Sequence, residues 1–298
     1  MPAQFPIIFG VAAIVLIAII AIASGKKGKD KPVTPEPVTP EPAAKRTDLL
    51  FGYFGVLGDQ VEQTRDHVNL VWLWDFLDSQ SAAVILSRMP GCFGVLDCAS
   101  YLFERRDGRL QPRTDAEARL IGMFQHLRDA GMLNRVRMLV PVDEPNIKTT
   151  NLDDKMPWAA DLMRKCAAGF PELDGVLLGC VYSGWEDMPH LGLWDVVGLN
   201  FYKDRERIFA PGGKYHQMRA QLRPEQRTMI FPGGYAPIRQ DPAPFIAFAH
   251  ANPEVMAVIA FLWPTPPWAE DIEKGIADMT ELREKYVAAG LSITGGAA

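Results

Sequence analysis

Eight short runs rich in β-branched and aromatic residues recur between Leu49 and Trp263, each followed by a stretch with helical spacing. They are LLFGYFGV from Leu49, HVNLVWLW from His67, CFGVLDCA from Cys92, VRMLVPVD from Val136, GVLLGCVY from Gly175, WDVVGLNFY from Trp194, RTMIFPGG from Arg227 and VMAVIAFLW from Val255. Helical patterns fall between and after them, among them Ser79 to Met89, Thr114 to Ala130, Asp153 to Gly169, Lys214 to Leu222, Pro242 to Ala251 and Ala269 to Ala289, with a shorter piece near Glu186. Strict alternation of this kind predicts parallel strands joined by crossover helices. Eight such units in roughly 245 residues predict an α/β fold of the (β/α)8 TIM-barrel type. A doubly wound open sheet is the structural alternative, but no glycine-rich dinucleotide loop follows the first run. Thr114 and Glu117 read as a capping box, Gly131 as a helix stop, and Asn252-Pro253 as a break before the eighth strand.

The region before the barrel has a different character. Phe5 to Ser24 carries no charge, and about 20 apolar residues suffice for a helix to cross a bilayer. Residues 1–24 are therefore read as a transmembrane anchor, with a signal peptide as the rival because Ala21-Ile22-Ala23 has a cleavage-site pattern. Residues 25–47 read as a Lys/Pro-rich linker in which PVTPE occurs twice, a composition that favours an extended rod of roughly 70 Å at about 3.1 Å per residue. The barrel is placed at 48–290 and a flexible tail at 291–298. Lys26, Lys27, Lys29 and Lys31 favour a cytoplasmic barrel by the positive-inside rule. The rod favours a periplasmic or extracellular one, held off the membrane towards a polymer.

Composition narrows the function. The formal charge of −5 contains no basic block, so no nucleic-acid partner is expected. Cys92, Cys98, Cys166 and Cys180 lack CxxC spacing or clustered histidines, so no metal site is expected and buried free thiols are the simpler reading. No P-loop, HExxH or G-x-S-x-G motif is present, and no cofactor is implied. His190 is the one histidine near a predicted mouth loop, and as a lone His it reads as structural.

In such barrels the working residues lie at the C-terminal ends of the strands. The candidates there are Trp74 and Asp75 after the second run, Asp97 in the third, Asp143 and Glu144 after the fourth, and Tyr182, Trp185, Glu186 and Asp187 after the fifth. Asn200, Tyr202 and Lys203 follow the sixth, Gly233 and Gly234 the seventh, and Trp263 ends the eighth. Several carboxyl groups together with Trp74, Trp185, Trp263 and Trp268 point to sugar chemistry. Glycoside hydrolysis needs a carboxylic acid at the leaving oxygen and a second carboxylate, and flat apolar rings suit the C–H faces of a pyranose. Pro145 biases Glu144 away from helical geometry, which predicts an extended strand end with the carboxyl aimed into the mouth.

With Asp143-Glu144-Pro145 on the fourth strand, Tyr202 on the sixth and Trp263 on the eighth, the sequence resembles the clan A glycoside hydrolases. The resemblance implies Glu144 as acid/base and Trp263 as a sugar platform. It also implies a nucleophilic Glu at the end of the seventh strand, where this sequence has Phe231-Pro232-Gly233-Gly234-Tyr235. Asp143 further replaces the usual Asn, and no Arg ends the second strand.

Three readings follow from these departures. In the first, the chain is a membrane-anchored glycoside hydrolase-like protein acting on a polysaccharide or cell-wall glycan, with Glu144, Asp143 and Asp97 catalytic and a second carboxylate activating water. Trp74, Tyr182, Trp185, Glu186, Asn200, Tyr202 and Trp263 would bind the oligosaccharide. In the second, the barrel is a catalytically inactive carbohydrate-binding domain. In the third, the glycines after the seventh strand hold a phosphosugar and Lys203 forms a Schiff base in an aldolase or lyase reaction.

Overall fold

The computed structural model describes residues 46–56, 58, 60–73, 79–147, 150–184, 186–200, 202, 208–266 and 272–295. In chain order the elements are β1 (Leu50–Tyr53), α1 (Val61–Thr64), β2 (Leu70–Leu73), α2 (Ser79–Arg88), β3 (Phe93–Asp97), α3 (Ala99–Leu102), β4 (Phe103–Arg106), β5 (Arg109–Pro112) and α4 (Ala116–Asp129). There follow β6 (Val136–Val140), α5 (Met156–Ala167), β7 (Leu177–Ser183), β8 (Val196–Asn200), α6 (Lys214–Arg219), β9 (Arg227–Phe231), α7 (Ala243–Ala251), β10 (Val255–Ala260) and α8 (Thr280–Thr294).

Eight strands close into a parallel barrel in the order β1-β10-β9-β8-β7-β6-β3-β2, one from each of the eight runs. Both faces of each strand are covered, which is why the runs read as nearly continuous apolar sequence rather than as alternation. Side chains divide into two shells. Leu70, Trp72, Val95, Met138, Val140, Val181, Val196, Met229, Phe231, Ala257 and Ile259 fill the barrel interior. Their strand neighbours Val71, Leu96, Leu139, Cys180, Val197, Ile230 and Val258 face the surrounding helices. The interior accommodates Phe231 because residue 198 is glycine: a Cβ there would lie 2.9 Å from Phe231 Cε2 and 3.0 Å from Val181 Cγ2.

β4 and β5 form an antiparallel hairpin between β3 and α4, an addition that the strand pattern did not predict. Its turn, Asp107-Gly108, has positive φ at both residues (50° and 77°), the geometry that favours Asp-Gly in two-residue hairpins. The predicted capping box at Thr114 is not used. Asp115 occupies the N-cap of α4 without a side-chain cap bond, and its carboxylate instead accepts from Arg113 and Arg119. Gly131 does terminate that helix region with φ 70°, and the last helix runs past residue 290 to Thr294.

Arg46 fixes the start of the folded region. Its guanidinium donates to the carbonyls of Ala249, Asn252 and Val255, beneath the C-terminus of α7 and the start of β10, and pairs with Asp48 at 2.8 Å. The chain therefore joins the barrel at the face carrying the N-terminal ends of the strands. All four cysteines are buried and free. Burial pushes the Cys92 thiol up to about 11 and those of Cys98 and Cys180 well above the ordinary range, which keeps them unreactive. Among the described residues no helix is long and apolar enough to cross a membrane. The run from residue 5 to 24 and the linker up to residue 45 lie outside the described residues.

Candidate active site

The inward side chains change character towards the C-terminal ends of the strands. On β3 the alternation Val95 in, Leu96 out turns Asp97 inward. On β8 Val197 and Leu199 face out, so Asn200 turns inward above Gly198. Asp97, Glu144, Ser183 and Asn200 are all buried, and they come from the adjacent strands β3, β6, β7 and β8. The other half of the ring is aromatic. Phe54, Trp72, Phe231 and Phe261 follow or end β1, β2, β9 and β10, with Tyr202 and Tyr235 packed against Phe261. One end of the barrel thus has a polar arc facing an aromatic arc.

Glu144 lies in the polar arc, 8% exposed. Beyond β6 the chain keeps its pairing with β7 through an Asp143–Val181 bridge and a Glu144 N–H donated to Val181 O at 3.1 Å. Glu144 itself has φ 48°. The expectation of an extended residue before Pro145 is therefore corrected: the residue leaves the right-handed helical region, as a residue before proline does, but for the left-handed region. Such a backbone costs of order 1–3 kcal/mol and persists where its surroundings hold it. Here the holding group is Asn146, whose amide donates to the carbonyls of Ser183 and Asp187 and accepts from Ser183 N–H, each at 3.0 Å.

Burial raises the Glu144 carboxyl from 4.5 to about 7, and a hydrogen bond from Asn200 partly opposes the rise. A carboxylic acid poised there is protonated over much of the neutral range. Tyr202 is close by. Burial pushes its phenol well above the ordinary range, with Tyr235 and then Glu144 and Asp143 adding to the effect. Asp97 accepts from Ala99 N–H at 3.0 Å.

Not every residue picked out from sequence reaches this chamber. Trp263 is 1% exposed and faces the outer shell, 4.4 Å from Tyr53 and 5.9 Å from His67 between ring centroids, with Nε1 donating to Gln63 Oε1. Phe261 and Leu262 both turn inward, so it is Phe261 and not Trp263 that faces the barrel interior. Tyr182 also faces outward, donating to Pro189 O and accepting from Trp194 Nε1. Glu186 and Asp187 are exposed. Trp74, Asp75, Trp185, Lys203 and Trp268 lie outside the described residues.

The glycines after β9 do not form a phosphate cradle. Gly233 N–H donates to Gln240 Oε1 and Gly234 N–H to Phe261 O. The space where their Cβ atoms would stand is filled by Tyr202, Ile238 and Ile276.

Neither a protein-family profile nor a curated protein matches the chain in sequence. Its structure superposes on Saccharomyces cerevisiae Gas2p bound to laminaritetraose and laminaripentaose, with a TM-score of 0.53, 11% identity, and coverage of 81% of this chain and 64% of that one. A family 2 β-galacturonidase from Eisenbergiella tayi, bound to galacturonate, gives 0.52 at 9% identity over 85% of this chain and 52% of that one.

The barrel fold is shared with glycoside hydrolases.

The chain spans less than two thirds of the length of either protein. The residues that complete the chamber without having been named as site residues from sequence are Phe54, Trp72, Asn146, Ser183, Gln240 and Phe261. Trp72 was within reach, since it stands two residues from inward-facing Leu70. Gln240 carried no sequence signal; its role comes from the bonds to Gly233 N–H and Tyr202 O.

Proposed function

We propose that the chain is a glycoside hydrolase-like protein that acts on a polysaccharide or cell-wall glycan, with Glu144 as the general acid. The observation that carries this reading is the Glu144 carboxyl itself, buried at the end of the barrel where such enzymes work and raised by that burial to about 7. A group of this kind can protonate a glycosidic oxygen at neutral pH, which a solvated glutamate does poorly. The facing arcs suit the rest of a sugar, with polar side chains for hydroxyls and rings for C–H faces.

The second carboxylate we assign to Asp97, on the same arc, or Asp143, the residue before Glu144, acting on water in an inverting displacement that needs roughly 6.5–9.5 Å between the two groups. The segment after β9 offers aromatic and glycine residues in place of a nucleophile, and this favours a sugar-binding barrel without turnover as the second reading. One experiment separates the two. The first reading expects release of reducing ends from laminarin or β-mannan, lost in Glu144→Gln while oligosaccharide binding persists. Binding without turnover in the wild type would establish the second, and turnover unaffected by Glu144→Gln would remove Glu144 as the acid.

Residues 5–24 are proposed as a membrane anchor and 25–47 as a stalk. Attachment at Arg46, on the face opposite the chamber, supports an arrangement in which the site points away from the membrane.

A further inference from the structure

Three buried polar atoms around the chamber have no hydrogen-bond partner among the described residues: Trp72 Nε1, Asn200 Oδ1 and Tyr202 OH. Trp72 is 1% and Asn200 5% exposed, so neither atom is satisfied by bulk solvent. Buried polar groups are nearly always paired, and an isolated exception calls for a reason. Here three exceptions lie on strands and neighbouring rings at one end of the barrel. The Trp72 ring lies 4.8 Å from Phe54 and 6.0 Å, edge to face, from Phe231. Phe231 is the register partner of Asn200 across β8 and β9. Tyr202 stacks on Phe261 at 5.8 Å, and Phe261 lies 5.1 Å from Phe54.

The chemistry of the three atoms restricts what can satisfy them. An indole N–H only donates, an amide oxygen only accepts, and a phenol does either. A carboxylate or phosphate oxygen would answer Trp72 but leave the Asn200 oxygen unmet. An ammonium would do the reverse. An alcohol hydroxyl accepts and donates at once and completes the set. Resting on the reading of this chamber as a sugar site, we infer that Trp72, Asn200 and Tyr202 form a three-point subsite for uncharged hydroxyls at the inner end of the chamber, selecting a neutral sugar edge over an acidic or amino one at that position.

The test uses the full chain in detergent micelles, labelled with ¹⁵N-tryptophan, and titrated with laminaritetraose, mannotetraose and galacturonate. Trp72→Phe keeps an aromatic ring at this position and removes the indole N–H, and it also assigns the Trp72 indole resonance. The expected result is a shift of that resonance with a neutral tetrasaccharide and binding weaker by about three- to ten-fold in Trp72→Phe, the worth of one neutral hydrogen bond. The wild-type titration stands on its own should the variant fold poorly. Tetrasaccharide binding that leaves the indole resonance in place would overturn the subsite while sparing the sugar reading, as would binding equal in the two proteins or preference for galacturonate with the indole shifted. Absence of binding by any of the three at millimolar concentration would overturn both.

Discussion

Asn200, at the end of β8, acts on the Glu144 carboxyl, which follows β6, from across the intervening strand β7, lowering its pKa against the rise that burial produces. Burial is the stronger influence and raises the acid; Asn200 restrains it near 7. As a general acid, Glu144 must carry its proton, so turnover is expected to fall as pH rises through about 7. Asn200→Ala removes the restraint and should move that alkaline limb to higher pH. A pH profile of kcat against a glucan or mannan checks this. A loss of rate with the limb in place would make Asn200 a substrate contact and nothing more. Glu144→Gln should lower kcat by about 10²–10⁴-fold, the usual contribution of a positioned acid.

The same group makes stability depend on pH. The folded protein holds the Glu144 proton up to about 7, whereas the unfolded chain releases it near 4.5. Between those values the folded state binds more protons, so stability falls as pH rises. The cost of keeping this acid buried reaches about 3 kcal/mol above pH 7. Glu144→Gln should therefore raise the denaturant midpoint at pH 8 and leave it nearly unchanged at pH 4. Equal midpoints at both values would show the carboxyl to be solvated. The fold thus gives up stability at neutral pH to hold a buried carboxyl there.

What could be read in advance follows from where the chain is regular. All eight strands were legible because burial on both faces leaves apolar runs, and the break at Asn252-Pro253 does separate α7 from β10. Within strands the alternation was legible too: Val181 faces inward, which sends Tyr182 out, although from sequence Tyr182 was assigned to the sugar. Past the regular strands that rule lapses. Glu144 adopts a left-handed backbone, and Phe261 and Leu262 turn inward in succession, which puts Trp263 in the outer shell. The site is built from such departures, so the residue types at the strand ends were visible while their directions were not. The β4–β5 hairpin was missed despite its Asp107-Gly108 turn, because its strands are short and partly exposed and carry no apolar period.

Arg46 offers a test of where the folded unit begins. Its side chain gives hydrogen bonds to three backbone carbonyls at 2.8–3.1 Å and has one ionic partner, Asp48. Losing a charged donor that satisfies buried carbonyls costs about 2 kcal/mol, which in a barrel of this size lowers Tm by roughly 4–8 °C. Arg46→Ala should show that decrease with no change in sugar binding, because the contact lies at the end of the barrel opposite Glu144. A fragment beginning at Thr47 should be less stable than one beginning at Arg46 by a similar amount. Indistinguishable melting of the two fragments would make the Arg46 contacts dispensable.

Gly290 should reverse a familiar stability rule. It lies inside α8, where replacing glycine by alanine ordinarily stabilises a helix by about 1 kcal/mol through backbone entropy. At this position the helix presses on the barrel: a Cβ at residue 290 would collide with the carbonyl oxygen of His67 and stand 2.9 Å from Phe51 Cε1. The carbonyl belongs to the backbone leading into β2 and cannot rotate away as a flexible side chain could. Gly290→Ala must therefore push α8 off the bottom of β1 and β2, and overpacking of this kind costs about 1–3 kcal/mol. Net destabilisation is expected, read as a lower denaturant midpoint. The neighbouring change Ala289→Gly should also destabilise, by the propensity difference and by loss of a methyl group packed against the core. A stabilised Gly290→Ala protein would mean that α8 does not pack this closely on the barrel.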